Sequence, residues 1–321
     1  MERNILEEIE KEIDKWGISE KDKAKMHKNI MELRNQNLNI LITGATGSGK
    51  SSTINAMFNM EVAKVGYGVD PETMDIEKYD LDKLTIWDSP GLGDGKEADI
   101  RHAKNIVEKL YEKDKDGNAL IDLVLVIVDG SSRDMGTSFE LINEVIIPNI
   151  ENKSRILIGI NQCDVAMKGK YWNNEEKKPE IELQKFLDEK AESVRRRVKE
   201  STGVDIEPVV YSAEKYYNIS KLFFNIVKYT PSKKRFINAI NQNKETEIWK
   251  KSDELRKYEK ETKETIKKSF MESVTDGIET GKDIGGNIGS TIGRRKAGEV
   301  IGGVIGGVIG AAGAIWDSIF G

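Results

Sequence analysis

The segment Gly44-Ala45-Thr46-Gly47-Ser48-Gly49-Lys50-Ser51 stands between an apolar run at 38–43 and a helical run at 52–59, and it leaves few folds open. Its glycines permit a tight turn in which successive backbone N–H groups converge on one point. The helix that follows presents its positive end to that point. Such spacing between a strand and a helix is that of a phosphate-binding loop in an α/β sheet. It predicts that Gly44 to Ser52 cradle phosphates, with Lys50 reaching the β- and γ-phosphates and Ser51 ligating magnesium.

The rest of the chain supplies the sheet that such a loop needs. Short apolar runs at 84–88, 120–129, 155–161 and 208–212 alternate with amphipathic segments. Runs such as Leu123-Val124-Leu125-Val126-Ile127-Val128 are apolar on both strand faces, as a parallel sheet covered by helices on both sides requires. The more polar stretch at 74–81 fits an edge strand reached by a tight turn, the usual antiparallel exception. The fold class predicted is therefore α/β, doubly wound and mostly parallel, over residues 36–230. A helical segment at 1–35 precedes it, with Ser19 and Asp22 resembling a capping box. After Pro231, residues 232–271 contain no glycine or proline and predict a long, partly solvated helix within a helical segment at 231–276. A glycine-periodic apolar tail occupies 277–321.

Two further segments speak to the ligand. Asp88-Ser89-Pro90-Gly91 closes the 84–88 strand and offers an acidic residue beside the magnesium and a Gly91 amide for the γ-phosphate. The loop Leu92-Gly93-Asp94-Gly95 follows, and Thr73 lies where a switch threonine would meet both metal and γ-phosphate. On this reading Lys50, Thr73 and Gly91 act on the transferring phosphoryl group, and Ser51, Thr73 and Asp88 hold the metal. Asn161-Gln162-Cys163-Asp164 ends the 155–161 strand at the carboxyl edge of the sheet, where α/β folds bind ligands. A carboxylate such as Asp164 accepts from the guanine N1–H and 2-amino groups, which adenine lacks. Ser212-Ala213, after the last strand, is expected to offer a backbone N–H to the guanine oxygen. The ligand predicted is GTP or GDP with Mg2+.

With these segments in this order, residues 36–230 resemble the Era-like, or TrmE–Era–EngA-like, branch of Ras-like P-loop GTPases. The strings Ile42-Thr43-Gly44-Ala45-Thr46-Gly47, 87–95 and Asn161-Gln162-Cys163-Asp164-Val165-Ala166-Met167-Lys168-Gly169 look like the GTPases of bacterial genomic islands and prophages. The resemblance implies a regulatory protein that hydrolyses GTP and switches the loops around Thr73 and Leu92. Two positions depart from the pattern. Gln162 stands where the guanine motif usually has lysine, and Leu92 stands where Ras-like enzymes carry the water-orienting glutamine. Gly47 occupies the place of the asparagine that holds potassium in some relatives. Slow turnover is expected, and no general base is legible: Asp94 and Asp99 read as solvated loop carboxylates.

Composition bounds the remaining questions. The net charge of −5 gives no global basic surface for nucleic acid or acidic lipid, and Cys163, the single cysteine, cannot form an internal disulfide. The amino terminus opens on an acidic helical pattern, and the cytoplasm is the expected compartment. His27 and His102 have no metal-ligand spacing and read as surface or helix-packing residues. In the tail, glycine recurs at every fourth position from Gly277 to Gly293 and again from Gly298 to Gly310. That period suits close helix packing, and with Arg294-Arg295-Lys296 it suggests membrane contact through residues 294–316. Packing within a helical body or homo-oligomer, and a mobile tail, are the other readings. The alternative functions are a self-assembling or membrane-associated GTP-binding scaffold with little hydrolysis, and a ribosome-associated GTPase, for which nucleic-acid contact rests on family analogy alone.

Overall fold

The computed structural model describes residues 5–15, 18–58, 76–243 and 253–278. Thr73 and the tail beyond residue 278 lie outside them. The described residues fall into two compact units, one within 37–231 and 241–263, the other within 5–36, 232–240 and 264–278.

The larger unit is built on a sheet of six described strands: β1 (Leu38–Gly44), β2 (Glu77–Asp80), β3 (Leu84–Asp88), β4 (Leu123–Asp129), β5 (Ile156–Asn161) and β8 (Val209–Val210). Their order is β2-β3-β1-β4-β5-β8. Every pairing is parallel except β2 with β3, where Glu77 faces Asp88 and Asp80 faces Thr85. This is the doubly wound sheet of a Ras-like P-loop GTPase fold. β1 and β5 are buried throughout, and Leu123 to Val128 of β4 are buried on both faces. Each such aliphatic side chain contributes about 1.5–3 kcal/mol, so the central strands anchor the loops that leave their carboxyl ends.

Helices α3 (Lys50–Phe58), α4 (Lys96–Tyr111) and α6 (Ile181–Thr202) connect these strands, and α7 (Ile219–Tyr229) follows the last of them. Between β4 and β5, α5 (Gly136–Glu140) continues as a π-helical stretch, Leu141–Ile146, and a last turn, Ile147–Asn149. Pro148 supplies the cause. It has no N–H for the carbonyl four residues earlier, and the turn before it widens so that the Ile147 N–H reaches the Ile142 carbonyl. After β5 a short hairpin of β6 (Trp172–Asn173) and β7 (Lys178–Pro179) stands beside the sheet. Its Trp172 ring meets Tyr217 edge-on at 5.6 Å.

The strand boundaries shift where main-chain partners lie elsewhere. The run expected at 120–129 pairs only from Leu123, because the Leu120 N–H donates to Glu112 and the Asp122 N–H to Asn39. The run expected at 208–212 gives the two-residue β8, since Ser212 turns to exchange both main-chain bonds with Tyr217.

The long helix expected across 232–271 is broken. A 3₁₀ turn at Ser232–Lys234 leads into α8 (Arg235–Asn241), Gln242 and Asn243 are not helical, and α9 (Asp253–Val274) follows. Asn243 accounts for the stop. Its N–H donates to the Met57 carbonyl at 2.9 Å and its side-chain amide to the Ala56 carbonyl at 3.0 Å, capping the end of α3. Two carbonyls with no helical acceptor role left are thereby satisfied.

The smaller unit contains α1 (Ile5–Ile13) and α2 (Glu20–Arg34). Ser19 caps α2, accepting from the Asp22 N–H at 3.1 Å and donating to the Asp22 carboxylate at 3.0 Å. Leu6, Ile13, Met26, Ile30 and Leu33 form one core with Phe270, Val274 and Ile278. Asn29 joins the two ends of the chain by donating to the carbonyls of Val274 and Asp276, both at 2.9 Å. Among the described residues no helix is long and apolar enough to cross a membrane.

Candidate functional site

β1, the turn after it and α3 deliver residues 44–52 in the order the sequence predicts. Gly47 and Gly49 take left-handed backbone conformations, φ +77° and +87°, which a side chain would strain. At Gly49 a Cβ would also stand 2.2 Å from the Asn161 side-chain nitrogen, so this glycine admits a neighbouring strand end as well as a turn. Thr53 in α3 donates to the Gly49 carbonyl at 2.7 Å and meets the Tyr211 hydroxyl at 2.8 Å, locking the loop's exit to the strand beyond β5.

Lys50 points back over the loop, its ammonium donating to the carbonyls of Gly44 at 3.4 Å and Ala45 at 3.3 Å. Burial pulls its pKa down, opposed by the carboxylates of Asp88 and Asp94. Asp88, at the end of β3, is itself buried, and its Oδ1 has no hydrogen-bond partner. Burial, with a smaller push from Glu77, raises its carboxyl to about 7 against the pull of Lys50. An orphaned carboxylate oxygen of this kind fits a divalent cation, which would supply the missing positive charge. Ser51 is the first hydroxyl after Lys50. Among the described residues no cluster of three or more acidic, histidine or cysteine side chains is placed to hold a metal ion.

The segment after β3 lies against the phosphate loop. The Ser89 N–H donates to the Ile42 carbonyl and the Thr46 N–H to the Leu92 carbonyl at 2.8 Å. A Cβ on Gly91 would stand 2.3 to 2.6 Å from Thr46 atoms, two of them backbone, so only glycine allows this approach. Leu92 is buried in the core with Val126 and Val128. Thr46 donates its hydroxyl to Asp94 Oδ2 at 2.9 Å, and Asp99 Oδ1 accepts from the N–H groups of Gly93 and Asp94. His102 on α4 is buried and sets its Nδ1 2.9 Å from the Gly91 carbonyl. A carbonyl only accepts, so Nδ1 carries the proton.

The base end is organised by Asn161. Its Nδ2 donates to the Ser48 carbonyl at 3.0 Å and its Oδ1 accepts the Ala213 N–H at 3.0 Å. One side chain thus ties the phosphate loop to the turn after β8. Gln162, with φ +61°, donates its amide to the Gly47 carbonyl at 2.7 Å. The position where the sequence pattern leads one to expect lysine therefore carries a donor to the loop. Asp164 is buried, and no hydrogen bond engages its carboxylate among the described residues. The Ser212 N–H is spent on the Tyr217 carbonyl and the Ala213 N–H on Asn161 Oδ1. Truncating Asn161 to alanine leaves both buried main-chain partners unpaired. It should cost about 2–4 kcal/mol in urea unfolding.

Sequence reasoning places Gly44 to Ser52, Asp88, Gly91, Asn161, Gln162, Asp164, Ser212 and Ala213 around one edge of the sheet, and the structure brings them there. It misses Asp94 as a partner of Thr46 and His102 as a partner of Gly91. The only available signal for His102 is a histidine on an amphipathic helix eleven positions after Gly91. For Asp94 there is nothing beyond proximity in sequence.

A family model described as 50S ribosome-binding GTPase matches residues 39–162, and one described as type II/IV secretion system protein matches residues 3–64. No curated protein matches. Among solved structures, a probable GTP-binding protein engB is 20% identical, with 60% of this chain and 97% of that one covered and a TM-score of 0.38. Toc33 from Arabidopsis thaliana is 16% identical over 61% of this chain and 80% of its own, at TM-score 0.41. Era from Aquifex aeolicus is 18% identical over 61% and 57%, also at 0.41.

Proposed function

We propose that this chain is an Era-like guanine-nucleotide switch that binds GTP and GDP with magnesium and hydrolyses GTP slowly. The observation that carries the reading is Asn161. By holding Ser48 and Ala213 together it makes the expected phosphate and base segments one structure, with the unengaged carboxylate of Asp164 at its base end. The GTPase model match over residues 39–162 spans the phosphate loop, the Asp88–Gly91 segment and the start of the guanine motif.

In this assignment the amides of Gly47, Gly49, Lys50 and Ser51 and the Lys50 ammonium receive the phosphates, the Thr46 and Ser48 N–H groups being spent on the carbonyls of Leu92 and Ala45, and the Gly91 amide meets the γ-phosphate. Ser51 and Asp88, with Thr73, would hold the magnesium, which neutralises charge on the phosphate oxygens. Asp164 selects guanine over adenine, and Gln162 covers the loop with an uncharged amide. Leu92 turns its apolar side chain into the core, so the position that orients water in Ras-like enzymes does not do so here.

Calorimetric binding of GDP, GTP and ATP with magnesium to the nucleotide-stripped chain tests the reading. Guanine nucleotides should bind at least about 10²-fold tighter than ATP, and Asp164→Ala should remove that preference by weakening guanine binding by about 1–3 kcal/mol. Equal affinity for ATP, or an Asp164→Ala variant as selective as wild type, would sink the guanine assignment.

A further inference from the structure

We propose that Asp94 orients the attacking water in GTP hydrolysis and accepts its proton. The inference rests on the guanine-nucleotide reading above and names the group that Leu92 does not provide.

The argument is one of position. Gly91, whose amide is assigned to the γ-phosphate, packs so closely on Thr46 that no Cβ fits between them. The Thr46 hydroxyl in turn holds Asp94 Oδ2 at 2.9 Å. The Asp94 carboxylate is therefore one hydrogen bond away from the residue that touches the γ-phosphate amide, and it lies within electrostatic range of the Lys50 ammonium. Its backbone is fixed as well, because Asp99 Oδ1 accepts the Asp94 and Gly93 N–H groups at 3.3 and 2.7 Å.

The neighbouring candidates are committed elsewhere. Asp99 Oδ1 is engaged by those two amides. His102 is buried with its proton on the Gly91 carbonyl. Asp88 lies on the assigned metal side, buried. Asp94 is half-buried, and its side chain is engaged by Thr46 through one oxygen, which leaves the second able to accept from a water. In the reaction, the water oxygen bonds to the γ-phosphorus while the bond from that phosphorus to the β–γ bridging oxygen breaks, and the electron pair leaves with GDP. One water proton passes to Asp94 and from there to the departing phosphate or to solvent, which restores the carboxylate.

Asp94→Asn separates this role from a structural one, because its amide oxygen still accepts from Thr46. We expect the single-turnover rate of GTP hydrolysis to fall about 10²-fold, with GDP affinity within about threefold of wild type. Affinity for GDP in the presence of fluoroaluminate, a mimic of the transferring phosphoryl group, should fall at least about tenfold, since the apical water loses its acceptor. An Asp94→Asn variant hydrolysing GTP at the wild-type rate overturns the proposal. So does one that loses GDP affinity as much as rate, which would mark Asp94 as a strut of the loop. A wild-type chain that binds no guanine nucleotide would instead overturn the function beneath it, and that is read before any variant is made.

Discussion

Lys50→Ala is expected to bind GTP about 10³-fold more weakly than wild type, on the order of 4 kcal/mol, the cost of truncating one partner of a buried charge pair. Its nucleotide-free form at pH 6 is expected to unfold at no lower a urea concentration. The two halves of this result have one cause. In the folded chain Lys50 is half-buried, and among the described residues its ammonium makes only long bonds, 3.4 and 3.3 Å, to the carbonyls of its own loop. Desolvation already pulls its pKa down. A cation so placed costs the folded state and gives little back. Phosphate oxygens convert that cost into binding. At pH 6 Asp88 is largely protonated and does not miss its cationic neighbour, so alanine at position 50 removes an unfavourable burial. Calorimetry with GTP and urea unfolding of the same preparations check both halves. A Lys50→Ala variant that binds GTP normally would exclude the phosphate role. One that unfolds much earlier at pH 6 would make Lys50 a structural cation.

The same tension separates what the sequence discloses from what only the folded chain shows. Apolar runs enter the sheet whatever their neighbours, so 84–88 appears as β3 unaltered, with Leu84, Ile86 and Asp88 buried, and the centre of 120–129 as β4, buried on both faces. Strand ends depend on which distant carbonyl an N–H finds, and neither Leu120 to Glu112 nor Ser212 to Tyr217 is legible from periodicity. The phosphate loop is legible because its glycines answer to local backbone demands. Gly91 is legible as a motif, yet its reason here is long-range: it must admit Thr46. Asn161 reads in sequence as part of a base-recognition string, whereas its side chain is spent on Ser48 and Ala213. That leaves Asp164 as the carboxylate of the string without a hydrogen-bond partner among the described residues. Nothing in residues 232–271 announces a break, because Asn243 stops the helix through bonds to Ala56 and Met57 across the chain.

Asp88 gives the second large effect, a stability that falls as pH rises in the absence of metal and nucleotide. Its carboxyl stands at about 7 in the folded chain against an ordinary 3.8, with burial as the main cause. The folded state therefore retains a proton that the unfolded state has already released between about pH 4 and 7. Stability contributed by this group is fully present below pH 4 and is lost as pH climbs through 7, a total of about 4 kcal/mol. Asp205, held well below the usual carboxylate range by Arg195 and Lys199, acts with the opposite sign. Its window lies below pH 4, so it does not enter a comparison made between pH 5 and 8. Urea unfolding of the metal-free, nucleotide-stripped chain should accordingly show a lower midpoint at pH 8 than at pH 5. Asp88→Asn, which buries an amide with no charge to form, should flatten that dependence and be more stable than wild type at pH 8. Magnesium added to GDP should raise the wild-type midpoint at pH 8 by more than that of Asp88→Asn, because nucleotide binding stabilises both while the ion answers a charge that the variant lacks. A wild-type chain equally stable at both values, or a variant with the same pH dependence, would mean that the Asp88 carboxylate is already compensated in the folded protein, and the case for a cation at its unpartnered oxygen would fall with it.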